Sequence, residues 1–72
     1  MAEEIVQEIL NPSGMLRVIV VRREDGRFTY RWQERAGSDW GPATIDAGVY
    51  DSADTAETEA RHRVAWLREL FH

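Results

Sequence analysis

Apolar positions in the first half of the chain predict a β-hairpin. Residues 15–23, MLRVIVVRR, form a continuous β-branched run, and residues 27–35, RFTYRWQER, alternate between aromatic and polar side chains. β-Branched and aromatic residues favour strands, and successive strand residues point to opposite faces of a sheet. Glu24, Asp25 and Gly26 separate the two runs and are suited to a tight turn.

The length of this turn decides which side chains share a face, because a shift of one residue moves every side chain to the other side. A two-residue turn at Asp25 and Gly26 would pair Arg23 with Phe28. We favour a three-residue loop with Gly26 in a left-handed bulge, since it brings the apolar positions of both strands together. That face holds Leu16, Val18, Val20, Phe28, Tyr30 and Trp32. The opposite face, called the arginine face below, holds Arg17, Ile19, Val21, Arg23, Arg27, Thr29, Arg31, Gln33 and Arg35.

The second half of the chain predicts a strand and then a long helix. Residues 43–50, ATIDAGVY, alternate and predict a third strand. A helix is predicted over residues 52–71, because Ser52 can cap it, acidic residues lie near its positive end and arginines near its negative end. Its apolar stripe consists of Ala53, Ala56, Ala60, Val64, Leu67, Leu70 and Phe71, with Trp66 at the border.

The N-terminal segment, residues 1–14, is expected to form a short helix. Ile5, Val6, Ile9 and Leu10 fit a helical stripe better than they fit alternation. A strand is the alternative, because so short a helix could persist only by docking on the rest of the protein. Together these elements predict one α+β domain over residues 1–72, in which a three-stranded antiparallel sheet (residues 15–50) is packed on one face by the C-terminal helix.

Composition narrows the setting of the protein. The 72 residues include no cysteine, so neither a disulfide framework nor a thiolate zinc site is expected. No apolar run approaches the ~20 residues that span a bilayer, and the acidic start MAEEIVQEIL is unlike a secretory signal. The cytoplasm is the default location. All nine basic residues are arginine, which suggests a GC-rich bacterial genome.

Candidate catalytic chemistry is sparse, and we expect no enzyme, metal or cofactor. His62 falls on the polar side of the helix and His72 is the last residue, so neither is placed as a general base. Asp51, Asp54 and Glu57 are explained as acids at a helix N-terminus. The same stretch lacks the glycine and spacing of a calcium loop, and the chain has no glycine-rich phosphate loop.

The three tryptophans have different expected roles. Trp32 and Trp66 fall at core-facing positions. Trp40 lies in the loop SDWGP, where it either folds over the end of the core or stays exposed as an anchor for a partner.

The arginine face raises the main functional question. Arg27, Arg31 and Arg35 recur every four residues, ~13 Å apart along a strand, so the face could be solvated or could straddle phosphates. Ile19 and Val21 would lie uncovered at its centre unless the N-terminal segment covers them. Apolar residues ringed by arginines favour an interface with an acidic protein or with a second copy.

Two stretches also carry a family resemblance. DGRFTYRW in the hairpin, and DAGVYDSADTAETEA from the third strand into the helix, resemble the AP2-like, arm-type DNA-binding domains at the N-termini of phage-type integrases. The resemblance covers residues 15–70 at the level of topology and implies DNA contacts by Arg27, Arg31 and Arg35. The acidic middle of the chain and the absence of lysine depart from that pattern.

With an N-terminal helix, the order of elements is also similar to that of double-stranded RNA-binding domains. Those domains place lysines at the start of the last helix, where this chain has Asp51, Ser52 and Asp54. The acidic residues argue against binding of duplex RNA.

The leading hypothesis from the sequence is therefore a non-catalytic interaction module that binds a protein partner or itself through the arginine face, with Trp40 as a further candidate. The alternative is a nucleic-acid-binding domain that uses the same face. No membrane partner is expected.

Overall fold

The computed structural model describes residues 3–44 and 46–70, with side chains described as far as Leu67. The predicted α+β class is confirmed, with four antiparallel strands instead of three: β1 (Glu4–Leu10), β2 (Leu16–Arg22), β3 (Phe28–Ala36) and β4 (Asp39–Trp40). The strands follow one another in the sheet in the order β1-β2-β3-β4. The sheet is curled, and two helices, α1 (Ala53–Arg63) and α2 (Ala65–Leu70), pack on one of its faces. Neither helix has the length and apolar character needed to cross a membrane.

The hairpin has the predicted three-residue loop. The Arg23 amide donates a hydrogen bond to the Arg27 carbonyl at 2.7 Å, and Gly26 closes the loop with a φ of 83°. Glycine suits this position because a side chain is strained in the left-handed region. Val18 consequently lies opposite Trp32 and Val20 opposite Tyr30, so the predicted division of the hairpin into two faces is confirmed.

The N-terminal segment is a strand, so the expected helix is wrong. β1 pairs antiparallel with β2, and the register shifts between Ile5 and Gln7, which leaves Val6 as an extra residue in a bulge. Pairing with β2 gives the backbone of β1 hydrogen-bond partners, whereas a two-turn helix is marginal by itself. The bulge also displaces the alternation by one residue, and the displaced pattern imitates a helical stripe.

The predicted third strand, residues 43–50, is not a regular strand. Its backbone lies beside β3 and donates hydrogen bonds to it. Successive bonds are three residues apart in this segment but two residues apart in β3. The hydrogen bonds join Gly41 to Glu34, Thr44 to Trp32, Ala47 to Tyr30 and Tyr50 to Phe28. A regular antiparallel ladder needs the same hydrogen-bond spacing on both strands. Among the described residues of this segment, only Tyr50 therefore forms a β-bridge, with Phe28. Ile45, which belongs to the predicted strand, lies outside the described residues.

The C-terminal helix begins as predicted but is divided in two. The Ser52 hydroxyl accepts a hydrogen bond from the Thr55 amide at 3.1 Å, which confirms its capping role. α1 ends at Arg63 and is followed by Val64, whose backbone is extended at φ −86° and ψ 114°. This β-branched residue turns its side chain into the core, and α2 then brings Leu67 against the same core. Leu70 has no described side chain, and Phe71 lies outside the described residues.

The core on the helix side of the sheet is built around Val18, Tyr30, Ala60, Val64 and Leu67. Ile9, Tyr50 and Trp66 are half-buried against it. Ala56 and Ala60 are completely buried, and such small residues let α1 lie close to the sheet.

Candidate interaction surfaces

The centre of the arginine face is buried, so of the two alternatives for Ile19 and Val21 the uncovered patch is wrong and cover by the N-terminal segment is found. Ile19 is 4% exposed, Val21 2% and Thr29 0%. Periodicity placed all three on this face correctly, but it could not show that the sheet curls. The curl brings Glu3, Ile5 and Ala43 around the same shallow concavity of about 290 Å³ that Ile19 and Val21 line. The N-terminal segment therefore contributes to their cover.

Arg31 holds the two borders of this concavity together. Its Nε donates to Asp46 Oδ1 at 2.7 Å, and its Nη1 and Nη2 donate to the two carboxylate oxygens of Glu3 at 3.1 and 2.7 Å. We call Glu3, Arg31 and Asp46 the Arg31 clasp. The hydrogen bonds to Arg31 lower the pKa of Glu3, and the bonds to Glu3 and then Asp46 raise the pKa of Arg31. The Arg31 side chain is only 18% exposed.

Trp40 and Arg17 form a second cluster at the other end of the face. The Arg17 guanidinium lies 4.5 Å from the centre of the Trp40 ring, and that of Arg35 lies 4.8 Å away. Arg17 also donates to Gln33 Oε1 at 2.7 Å and forms an ion pair with Glu8. Trp40 is half-buried beside two arginines, so its ring serves as a stacking surface inside the protein.

Most arginines of the arginine face are therefore already compensated. Arg23 lies 3.6 Å from Asp46 and 3.5 Å from Asp25, which adds it to the paired group. Arg27 is exposed and has no side-chain partner among the described residues. Of the predicted binding residues, only Arg27 and Arg35 present largely exposed guanidinium groups.

The unpaired charge of the described surface is mainly negative. Five carboxylates make no ion pair and accept no side-chain contact from a cation in the described part of the chain: Glu24, Glu34, Asp39, Asp51 and Asp54. The ion pairs among the described residues join seven carboxylates to six arginines, so most of the net charge of −4 is carried by the groups without an ion pair. Of the hairpin arginines, Arg22, Arg27 and Arg35 are exposed, and Arg22 is paired with Glu4.

An apolar groove opens on the opposite, helix-bearing face. We call it the tryptophan groove; its volume is about 470 Å³. The residues that line it are Leu16, Tyr30, Trp32, Glu34, Ala47, Arg63, Val64, Ala65 and Trp66. Clefts of this size and apolar lining are typical of ligand and anchor sites.

The exposure of Trp32 in this groove differs from the prediction. It was predicted in the core, but its side chain is 41% exposed. Its position on β3 places it on the helix side of the sheet, opposite Val18. The groove that it lines separates it from α2, because the chain turns at Val64 before α2 begins. Trp66, half-buried against the core, lines the same groove, so the predicted core position of Trp66 is confirmed in part.

The sequence predicted the positions of the two tryptophans of this groove but not the helix break beside them. Both Trp32 and Trp66 were assigned to the face between sheet and helix. The break at Val64 carried no local signal, because valine is acceptable inside a helix and no glycine or proline marks the end of α1. A continuous helix would have implied a closed core.

The described histidine and acidic side chains do not form a metal site. His62 is exposed on α1, and His72 lies outside the described residues. Nowhere between residues 3 and 67, leaving out Ile45, do three or more histidine, aspartate or glutamate side chains come together in a way that could hold a metal ion.

The fold and these surfaces define a small α+β protein with an apolar groove on one face and an internally neutralised arginine cluster on the other. Comparison with protein-family models, with curated proteins and with solved structures finds no match.

Proposed function

We propose that this protein is a non-catalytic interaction module that binds a protein partner through the tryptophan groove. The observation that carries the proposal is the 41% exposure of Trp32 at the mouth of an apolar cleft. Tryptophan is enriched among the residues that dominate binding energy, and it acts most strongly beside a pocket that excludes water. The lack of cysteine and the arginine-only basic residues favour a bacterial cytoplasm as the setting.

The groove is a better candidate than the arginine face because it offers apolar surface that a partner can reach. Ile19 and Val21 are 4% and 2% exposed, so they have almost no area left to bury. Arg17, Arg23 and Arg31 already have intramolecular carboxylate partners. Breaking those pairs to bind another acidic group would cost about as much as it returns.

Site-specific photo-crosslinking tests the proposal. A photoreactive phenylalanine analogue is placed at Trp32 and, as a matched control, at Val49, which is 44% exposed but does not line the groove. We expect one discrete protein adduct from position 32 in the cells that encode the chain, and none from position 49. The captured protein, once purified, should bind the wild-type chain at least tenfold more tightly than it binds Trp32→Ala, as expected for an anchor residue.

Two outcomes would contradict the proposal. Equal labelling from positions 32 and 49 would show that the groove has no preference for a partner. An adduct with nucleic acid instead of protein would also contradict it, and Arg27→Glu with Arg35→Glu then tests whether the arginine face contributes to that binding. Circular dichroism of each variant shows whether the chain remains folded.

A further inference from the structure

The walls of the tryptophan groove suit a side chain that is aliphatic along its length and cationic at its tip. Trp32 and Trp66 supply two aromatic side chains, and the faces of aromatic rings attract cations; Tyr30 also lines the groove but is only 2% exposed. Leu16, Val64 and Ala65 supply aliphatic surface beside them. Lysine and arginine lay their methylene chains on such surface while the charged group reaches a more polar rim.

Among the described side chains that line the groove, one charged group has no ion-pair partner, and it is negative. Glu34 lines the groove, is exposed and forms no ion pair with any described residue. It lies directly across from Leu16 in the register of β2 and β3. Arg63 also lines the groove, but its Nε donates to Glu59 at 3.0 Å, so its charge is balanced on α1 itself.

The net charge of the whole protein also favours a basic occupant of the groove. A second copy would bring a net charge of −4 against −4, and an acidic protein would meet the same repulsion. Among the described side chains, the free carboxylates at Glu24, Glu34, Asp39, Asp51 and Asp54 outnumber the two arginines without a carboxylate partner, Arg27 and Arg35. A basic segment is attracted both from a distance and at the groove.

We infer that the tryptophan groove receives an arginine or lysine side chain from a basic segment of the partner, held between Trp32 and Trp66 with its charge beside Glu34. The inference rests on the proposed function, since it names the chemistry of what the same groove binds. It reverses the charge of the partner expected from the sequence, because the hairpin arginines are neutralised internally.

The test uses the full chain and four acetylated tripeptide amides, Gly-X-Gly, with X as arginine, lysine, leucine or glutamate. The indole N–H signals of Trp32, Trp40 and Trp66 are followed by NMR at low salt. We expect the arginine and lysine peptides to shift the signals of Trp32 and Trp66. Trp40 should not respond, because it pairs with Arg35 on the other face of the sheet. The glutamate peptide should shift none of them.

Charge-matched variants isolate the carboxylate. Glu34→Gln should weaken binding of the arginine peptide about two- to fivefold, the range of an exposed ion pair. Glu24→Gln removes an equally free carboxylate from the hairpin turn, outside the groove, and should leave the affinity within the error of wild type. Both variants change surface residues, so the spectra of the free proteins should overlay on wild type.

The failure of this inference is distinguishable from failure of the proposed function. Equal shifts with the leucine peptide, or equal effects of Glu34→Gln and Glu24→Gln, would overturn the cationic anchor and leave an apolar interaction groove. Absence of any shift at millimolar peptide would also overturn it. The proposed function itself is decided by crosslinking at Trp32 and Val49.

Discussion

At the scale of single residues, the guanidinium of Arg31 joins two segments that approach β3 from opposite sides. Glu3 precedes β1, and Asp46 lies in the irregular segment beside β3. Arginine is suited to this position because its planar group directs several N–H donors outward at once. A lysine would present one compact charge and could not satisfy both carboxylates with the same geometry.

We expect Arg31→Met to lower the free energy of unfolding by about 1 to 2 kcal/mol. Methionine keeps much of the side-chain volume but removes the charged donor of Glu3 and the nearer of the two arginines at Asp46, and the expected loss is reduced for the partial exposure of both carboxylates. Urea unfolding followed by tryptophan fluorescence measures the change.

Arg22→Met is the matched control for the clasp. Arg22 forms an ion pair with Glu4 at 2.5 Å, but both side chains are more than half exposed. Removal of such a pair should cost less than about 0.5 kcal/mol. Equal losses for Arg31→Met and Arg22→Met would show that the clasp contributes no more than an ordinary surface pair.

At the scale of elements, local chemistry made some parts predictable. Gly26 with a three-residue loop fixed the register of the hairpin, and Ser52 marked the start of α1. Both depend on residues within a few positions of one another. The strand conformation of β1 was not predictable from local sequence. The bulge at Val6 shifts the alternation of apolar and polar residues, and β1 pairs with β2, which lies beyond a loop.

The groove, too, could be predicted from local sequence only in part. Periodicity assigned Trp32 and Trp66 to one face, but exposure depends on whether a neighbouring element covers that face. The extended backbone of Val64 ends α1, and Trp32 remains open as a result. Likewise, the face of Ile19 was predicted correctly and its burial was not, since the burial follows from the curl of the whole sheet.

The irregular segment beside β3 should show a period of three in amide hydrogen exchange. Gly41, Thr44, Ala47 and Tyr50 donate backbone hydrogen bonds to β3. The amides of Ala43, Asp46, Gly48 and Val49 make no such bond, so they should exchange about tenfold faster or more. Exchange followed by NMR resolves each amide. Uniform protection from residue 43 to 50 would indicate a regular fourth ladder instead.

At the scale of the whole molecule, charges are sorted by the fold in a way that composition does not reveal. The sequence places its arginines in the hairpin, and the fold brings Glu3, Glu8 and Asp46 to them from both sides. The carboxylates left over lie mainly at turns and at the start of α1. The groups without an ion pair are therefore mainly negative among the described residues, and one of them, Glu34, lines the tryptophan groove, in agreement with the basic partner that we propose.

The Arg31 clasp also has a consequence for the order of folding events. Glu3 lies 28 residues before Arg31 and Asp46 lies 15 residues after it, whereas the hairpin loop closes over three residues. Contacts between distant residues require more chain entropy to be lost first, so the clasp should close after the rate-limiting step. Arg31→Met should then speed unfolding and leave the folding rate nearly unchanged.

Gly26→Ala provides the opposite case, because it strains a residue at φ 83° in the turn from which the hairpin grows. It should slow folding more than it speeds unfolding, as seen in the two arms of a urea chevron plot. If Arg31→Met slowed folding to the same degree, the clasp would belong to the folding nucleus. Otherwise the clasp forms after the rate-limiting step and determines how slowly the native state unfolds.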